Sequence, residues 1–256
     1  KSLVLHQLFM NGSAIPIAGN LFSSPLGAPH LLTPCSTFRQ PTGNTSLIQQ
    51  ASSKHRCFSL VYLGEMKKEQ IITLPNPHLR QKSTKVHVIT DDTVKLVDDM
   101  TSASLDWEDS RPHEISAALA AVQIDNLQRV VIVRSDFDDK NARDFTALIN
   151  PEIVKFEGTT TYDHEGCLSV ANVYGKVPRA SKIRVRALDL AGQEVRFKAE
   201  GFLARVIQHE IDHTKGILFI DHIRDDTNAF YTLDEKGELQ PLDYDEHIKT
   251  NRLLWD

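Results

Sequence analysis

The sequence predicts an α+β domain, in which small antiparallel or mixed sheets pack around one buried helix near the C-terminus. The predicted strands come first and are joined by turns, whereas the strongest helical pattern comes late, at 202–213. Apolar side chains cover so much of the circumference of that helix that we expect it to be buried. Strands and helices do not alternate as in a parallel sheet, so the α+β class is favoured.

The elements of the first half follow from local patterns. Residues 86–89 form a short apolar run that predicts a strand. Asp91 or Asp92 can cap a helix running to about Ser104. Four of its residues share one face by helical spacing: Val94, Val97, Thr101 and Leu105. The small-residue stretch 113–122 fits either a helix or a strand.

The second half is predicted to be richer in strands. Residues 129–134 and 145–150 are β-branched and apolar, and a proline follows the second run, where we expect that strand to stop. Apolar residues alternate at 183–187 and again at 195–199, across an Ala-Gly turn, which predicts a hairpin. Past the late helix, the acidic stretch 225–256 is expected to be loop-like.

Composition excludes several classes of protein. No apolar run in the 256 residues approaches the ~18 residues that a membrane-spanning helix needs. The 29 Lys and Arg against 34 Asp and Glu give a net charge of −5, without the basic excess that a phosphate backbone requires. Three cysteines leave at least one unpaired, which suits a reducing compartment. A cytoplasmic protein is therefore expected.

The chain changes character near Met66. Residues 1–65 contain four basic residues and one acidic residue, and they are rich in Ser, Pro and Gly. Three interpretations remain open for this segment: an organelle transit peptide, which would imply an organellar location, a disordered tail, or an artefactual upstream extension of the reading frame. We favour the extension, because the segment from Met66 reads like a natural start, and we place the folded domain at 66–256.

The segment His209-Glu210-Ile211-Asp212-His213 has the HExxH pattern. Residues four apart share a helix face, so both imidazoles can bind one metal ion, and the adjacent Glu210 can take a proton from the attacking water. Two buried histidines without a ligand would give the same pattern. Asp212 points away from that face and is expected to support the site or to lie at the surface.

A catalytic metal site needs a third protein ligand and one open coordination position. The candidate is Cys167, within Glu-Gly-Cys-Leu-Ser at 165–169. A lone cysteine is often an inert core residue. The adjacent Gly166 and the polar neighbours favour a functional role.

With these motifs, the chain resembles the peptide deformylase family, which carries three motifs in order. The second, EGCLS, is intact at 165–169, and the third, QHExDH, is intact at 208–213. The first, GxGxAAxQ, appears as SAALAAVQ at 116–123, with serine and alanine where the family has glycines. The resemblance extends over about 69–226.

The resemblance implies a metal-dependent hydrolase that removes the formyl group from N-terminal formyl-methionine of nascent polypeptides and releases formate. Glu210 would be the general base, and the Gln123 side chain and the Leu168 backbone N–H would stabilise the oxyanion. The implied metal ligands are Cys167, His209 and His213. The implied substrate-binding residues are Gly166, Ala118, Phe202, Val206 and Arg179.

The resemblance also implies a cofactor and partners. The cofactor is one divalent ion. The family usually binds Fe²⁺, although Zn²⁺, Ni²⁺ and Co²⁺ suit the same thiolate and imidazole ligands. The expected partners are N-formylmethionyl nascent peptides at the ribosome. We expect a monomer that binds neither a membrane nor specific nucleic acid sequences.

Two other functions stay open at this stage. A zinc endopeptidase shares HExxH but takes its third ligand downstream, where only His222 and His247 follow, without the expected spacing. A catalytically inactive homologue that only binds nascent chains or ribosomes would explain the altered first motif. Serine and alanine restrict the backbone where glycine would not.

Overall fold

The computed structural model describes residues 66–111 and 114–255. The interpretations of residues 1–65 lie outside this part of the chain. Four α-helices and seven strands are described: α1 (Asp91–Asp109), β1 (Ala118–Ala120), β2 (Val130–Arg134), β3 (Phe145–Cys167), β4 (Val170–Leu188), β5 (Glu194–Glu200), α2 (Gly201–His213), β6 (Phe230–Leu233), β7 (Leu239–Pro241), α3 (Tyr244–His247) and α4 (Arg252–Trp255). The predicted α+β class is confirmed. None of the described helices combines the length and the apolar character needed to cross a membrane.

The strands form one connected antiparallel sheet in the order β1-β2-β3-β4-β6-β7, with β5 also paired to β4. The hairpin predicted from alternation is confirmed as β4 and β5. The longest pairing joins β3 to β4, and it ends where Cys167 pairs with Val170 across a two-residue turn. This turn brings Cys167 next to His213 of α2, with Sγ and Nε2 3.3 Å apart.

The predicted strand at 86–89 is wrong. Val86 does not pair with a neighbouring strand, because the Asn150 side chain satisfies its backbone. The Val86 N–H donates to Asn150 Oδ1 at 2.9 Å, and Asn150 Nδ2 donates to the Val86 carbonyl at 2.8 Å. A side-chain amide thus replaces the strand partner that the apolar run suggested.

The predicted end of the strand at Asn150 is also wrong, since β3 continues through Pro151 to Cys167. Asn150 has a φ of 53°, and the register between β3 and β4 shifts between the pairs of Ile149 and Glu152. A proline has no N–H for a regular ladder but is compatible with such an irregularity. The strand therefore bends at this point and does not stop.

Helix α1 is longer than predicted and buries a different face. It begins after the N-cap Thr90 and runs five residues past Ser104, to Asp109. Val94 is 39% exposed, so the predicted face is rotated from the buried one. The buried residues are Thr93, Leu96, Val97, Met100, Ala103, Ser104, Trp107 and Glu108. The extension to Trp107 and Glu108 carries this helix to the segment that precedes β1.

The predicted late helix is confirmed as α2, and residues 204–213 are all buried. The ambiguous stretch 113–122 contains β1 and the start of a 3₁₀ turn, Ala121–Ile124. The acidic C-terminal stretch is not merely loop-like. It contains β6, β7 and two short helices, and it packs Phe230 and Ile248 into a cluster that also contains Cys167.

Candidate active site

Three potential metal ligands converge between β3 and α2. The Sγ atom of Cys167 lies 3.3 Å from His213 Nε2, which lies 3.2 Å from His209 Nε2. The ligand atoms of all three residues lie within 4.8 Å of one another, and all three residues are buried. The three atoms, one sulfur and two nitrogens, each direct a lone pair at the others. These lone pairs would repel one another unless a cation lay between them. The residues therefore fit a divalent metal ion.

The orientation of His209 is set by Glu165. The Nδ1 atom of His209 lies 2.9 Å from Glu165 Oε2, so the carboxylate occupies one ring nitrogen. The tautomer with hydrogen on Nδ1 leaves the lone pair of Nε2 directed at Cys167 and His213. Carboxylate–histidine–metal arrangements of this kind fix the ring and raise the basicity of the ligand.

Glu165 is in turn held by two buried arginines. Arg179 donates to both carboxylate oxygens at 2.9 and 3.0 Å, and Arg205 Nη1 donates to Oε1 at 2.8 Å. Although burial opposes ionisation, Arg179 and the bond to His209 hold the pKa of Glu165 well below its usual range. The carboxylate is therefore charged at any ordinary pH, as a partner for a histidine ligand requires.

Asp212 and Arg179 extend this network behind α2. Arg179 Nη1 donates to Asp212 Oδ2 at 2.5 Å, and His222 Nε2 lies 2.7 Å from the same oxygen. Asp212 thus has the supporting position expected from the sequence. The Nε, Nη1 and Nη2 atoms of Arg179 all face these side chains, so this placement does not support the predicted substrate contact by Arg179.

Glu210 is buried beside the ligands without bonding to them. Its side chain belongs to the residue directly after His209, and its Oε2 atom makes no hydrogen bond to any described residue. Burial raises the pKa of the Glu210 carboxyl to about 7, with Glu165 adding to the effect and His209 opposing it. A free carboxylate oxygen at this position is available to exchange a proton with a reacting molecule.

The carboxamide of Gln123 is held next to Cys167. The Ala120 N–H donates to Gln123 Oε1 at 2.9 Å, and Gln123 Nε2 donates to Ser169 Oγ at 3.2 Å. The same Nε2 atom lies 3.6 Å from Cys167 Sγ. The acceptor end is therefore fixed by the chain itself, so the donor end must face the ligands.

The altered first motif has a conformation that does not need glycine. The non-glycine residues with positive φ in the described ranges are Asp125, Asn150 and Asn172, so neither Ser116 nor Ala118 is strained. Ala118 pairs with Val133 next to the hydrogen-bonded pair of Ala117 and Arg134. Its N–H and C=O consequently point away from β2.

Ala118 is only 5% exposed, but β1 is the terminal strand on its side of the described sheet, so the edge is open in the sense that no described strand pairs with it. It also belongs to an apolar cluster with Phe137 and Val206, against which Phe202 packs. Ala118 on the edge and Phe202 and Val206 on α2, all predicted to bind substrate, therefore belong to the same apolar cluster. Gly166 is buried between Glu165 and Cys167, and Leu168 is half-buried in the β3–β4 turn.

Sequence reasoning gave no role to Glu165, Ser169 or Arg205. Glu165 lies two residues before Cys167 on a strand, so the period of two already places both side chains on one face. The two-residue spacing from Cys167 could therefore have indicated a role for Glu165. No comparable signal existed for Arg205, because its contact with Glu165 depends on how β3 and α2 pack.

Comparison with known proteins identifies close similarities. Residues 68–229 match the family model described as polypeptide deformylase. A peptide deformylase of Thermomicrobium roseum is 43% identical over 171 residues, which are 66% of this chain and 93% of that protein. A peptide deformylase of Halothermothrix orenii is 44% identical over 154 residues, which are 60% of this chain and 92% of that protein.

Solved structures give the same result. A peptide deformylase of Synechococcus elongatus in complex with actinonin matches with a TM-score of 0.55 and 31% identity, over 61% of this chain and 80% of that one. A class I type b peptide deformylase of Acinetobacter baumannii bound to Met-Ala-Ser matches with a TM-score of 0.54 and 29% identity, over 62% of this chain and 99% of that one.

Proposed function

The chain belongs to the polypeptide deformylase family, and on this premise we propose which of its residues carry out the reaction. The reaction hydrolyses the formyl group from N-terminal formyl-methionine of nascent peptides and releases formate. One observation carries the proposal: the donor atoms of Cys167, His209 and His213 converge within 4.8 Å, with the Glu210 side chain beside them.

The ligands in this proposal are Cys167, His209 and His213. When bound, a divalent cation polarises the formyl carbonyl and lowers the pKa of water from about 15.7 to about 7. Fe²⁺ is the ion proposed for the cell by resemblance to the family. The same donor set also suits Zn²⁺, Ni²⁺ and Co²⁺. Glu165, held by Arg179 and Arg205, keeps His209 oriented, and this supporting role is the one proposed for Arg179.

Glu210 is the proposed general base and later the general acid. Its carboxylate takes a proton from the attacking water as the oxygen adds to the formyl carbon. It returns that proton to the amine nitrogen as the C–N bond breaks, so that formate and a free N-terminal methionine result. Its position supports this role, because it follows a proposed ligand on the helix and its Oε2 atom makes no hydrogen bond to the described part of the chain.

Gln123 and Leu168 are the proposed donors to the oxyanion that develops on the formyl oxygen. The Gln123 Nε2 donor faces Cys167, and the Leu168 N–H belongs to the next residue of the turn. A donor held ready in this way lowers an activation barrier by about 2.7–4 kcal/mol, because it needs no reorganisation during the reaction.

The substrate is proposed to lie along the open edge of β1. The outward N–H and C=O of Ala118 can pair with a peptide backbone, with Gly166 on the opposite side, while Phe202 and Val206 line the methionine pocket. The Met-Ala-Ser bound to the Acinetobacter baumannii enzyme supports this class of ligand. We further propose that the protein acts as a cytoplasmic monomer on nascent chains at the ribosome.

The test measures formate release from formyl-Met-Ala-Ser by anaerobically prepared, Fe²⁺-loaded protein. Turnover is expected from the wild type, and Glu210→Gln should reduce it by about 10²–10⁴-fold while metal content stays unchanged. Exposed Glu235→Gln is the matched control and should behave as wild type. Activity of Glu210→Gln within tenfold of wild type would exclude Glu210 as the base, and loss of its metal would make it a ligand or support.

A further inference from the structure

A fully buried ion pair lies next to the altered first motif and outside the three family motifs. Glu108, near the end of α1, and Arg134, at the end of β2, both have side chains with 0% exposure. Arg134 Nη1 donates to Glu108 Oε2 at 2.7 Å, and Nη2 donates to Oε1 at 3.4 Å. Burying two charges is costly unless each is also well hydrogen-bonded.

Glu108 is also bonded to the segment that leads into β1. Its Oε2 atom accepts the backbone N–H of Ser116 at 2.9 Å. The main-chain N–H of Arg134 donates to the carbonyl of Ala117 at 2.9 Å. Two successive residues, Ser116 and Ala117, are therefore fixed by the two members of the pair. The next residue is Ala118, whose main-chain groups face the open edge.

The rest of the Arg134 guanidinium holds the loop that follows β2. Its Nε donates to the carbonyl of Asp136 at 3.1 Å, and its Nη2 donates to the carbonyl of Lys140 at 2.7 Å. This loop carries Phe137, which stacks edge-on against Phe202 with ring centroids 4.9 Å apart. Arg134 thus reaches the wall of the proposed methionine pocket as well as the edge.

We propose that Glu108 and Arg134 are positioning residues for the peptide substrate. They fix the Ser116–Ala118 backbone and the Phe137 loop at the spacing that a formylated peptide requires. This inference rests on the proposed function, because it takes the β1 edge and Phe202 as the substrate-binding surface. Neither residue contacts the ligands or Glu210, so the expected effect is on substrate binding and not on the chemical step.

The experiment compares Glu108→Ala with two other variants. Glu108→Gln retains one acceptor oxygen for the Ser116 N–H and should restore part of the lost function. Asp109→Asn is the matched control, since it breaks the exposed pair of Asp109 and Arg143 one residue further along α1. For each variant, kcat and KM are measured with formyl-Met and with formyl-Met-Ala-Ser, together with metal content.

In Glu108→Ala, KM for formyl-Met-Ala-Ser should rise at least about tenfold, because a displacement of a substrate-positioning segment is costly. The kcat and the metal content should stay near wild type, and the preference for the tripeptide over formyl-Met should shrink. Asp109→Asn should change none of these. A fall in kcat with unchanged KM, or an equal loss for both substrates, would overturn the proposal and leave only a structural role.

A second variant covers the case in which Glu108→Ala does not fold. Glu108→Leu with Arg134→Met removes both charges, so no ion is left uncompensated. This protein should fold and show the same rise in KM, and the dissociation constant of the product peptide Met-Ala-Ser should rise equally. A wild-type KM in this folded double variant would overturn the proposal. Absence of formate release from the wild type would instead count against the proposed function.

Discussion

The candidate metal centre and the proposed peptide-binding edge of this protein are built in different ways. At the centre, side chains are held by other side chains: Glu165 fixes His209, and two arginines fix Glu165. At the edge, the main-chain groups of Ala118 form the surface, and the buried pair of Glu108 and Arg134 holds the two residues that precede it. The candidate metal centre therefore requires particular residue types, whereas the edge requires only a particular backbone conformation.

This difference explains which motifs are intact. A ligand or a base cannot be exchanged for a residue of another chemistry, and EGCLS and QHExDH are unchanged. A backbone edge accepts any residue whose φ is allowed, and both Ser116 and Ala118 adopt φ values that alanine or serine tolerates. The loss of the motif glycines is therefore compatible with catalytic activity. The altered first motif thus gives no support to the alternative of an inactive homologue.

The largest expected effect lies at the metal centre. Cys167→Ala removes one of three donors, so bound metal should fall sharply and formate release should become undetectable. Metal analysis and the formate assay check this, with Cys57→Ala as the control. Full metal content with native affinity in Cys167→Ala would mean that the ligand set is wrong.

Removing the charge that orients His209 should have the next largest effect. Glu165→Gln should weaken metal affinity or activity by about 10–100-fold. It should also lower the free energy of unfolding by about 3–5 kcal/mol, because Arg179 and Arg205 lose a charged partner. Chelator titration and thermal melting measure the two effects. Glu157→Gln, in an exposed pair with Arg184, should change neither.

Substitution of Ser169, which lies in the β3–β4 turn and bonds to Gln123, should have a smaller effect on kcat. Ser169→Ala removes the acceptor of Gln123 Nε2, so the carboxamide becomes less well oriented toward the substrate. A single such bond contributes about 0.5–1.5 kcal/mol, so kcat should fall about 2- to 10-fold with metal content unchanged. The exposed Ser135→Ala serves as control. An unchanged kcat would show that Ala120 alone holds Gln123.

Restoring the family glycines at the edge should do little. Ser116→Gly and Ala118→Gly should each lower the free energy of unfolding by about 0.5–1 kcal/mol, because glycine loses more backbone entropy on folding. The activation free energy for kcat/KM should change by no more than about 0.6 kcal/mol, so kcat/KM should stay within about threefold of wild type. A gain of tenfold or more would show that the side chains obstruct the edge.

The smallest effect is expected from the N-terminal segment. Both regions lie within residues 68–229, which match the family model, so a protein that starts at Met66 should keep the Tm and formate release of the full chain. Differential scanning calorimetry and the formate assay measure this. A Tm lower by several degrees, or loss of most activity, would place part of the fold in residues 1–65.

The convergence of side chains at the candidate metal centre was largely predictable from the sequence, because helix geometry fixes residues four apart. His209, Glu210 and His213 therefore followed from one short pattern, and α2 was predicted almost to its ends. Cys167 needed the resemblance as well, since nothing local relates β3 to α2. The guanidinium network behind the ligands depends on the β3–β4 register and could not be derived from local periodicity.

The edge was less predictable, for a physical reason. Glu108 lies in an acidic helix end, which reads as a solvated surface, and Arg134 ends an ordinary strand. Their burial results from packing between segments 26 residues apart. The same reason accounts for the wrong strand at 86–89, where an Asn150 side chain from a distant strand satisfied the backbone.

The two-residue turn between β3 and β4 has a further consequence for engineering. It consists of Leu168 and Ser169 alone, between Cys167, which is a proposed metal ligand, and its strand partner Val170. Any inserted residue would separate Cys167 Sγ from the Leu168 N–H, the proposed oxyanion donor, or from Ser169 Oγ, which accepts a hydrogen bond from Gln123. At the other end of β4, the exposed turn at 189–193 contacts none of these groups, and loop entropy rises only slowly with length. Affinity tags or fused domains therefore belong in that turn.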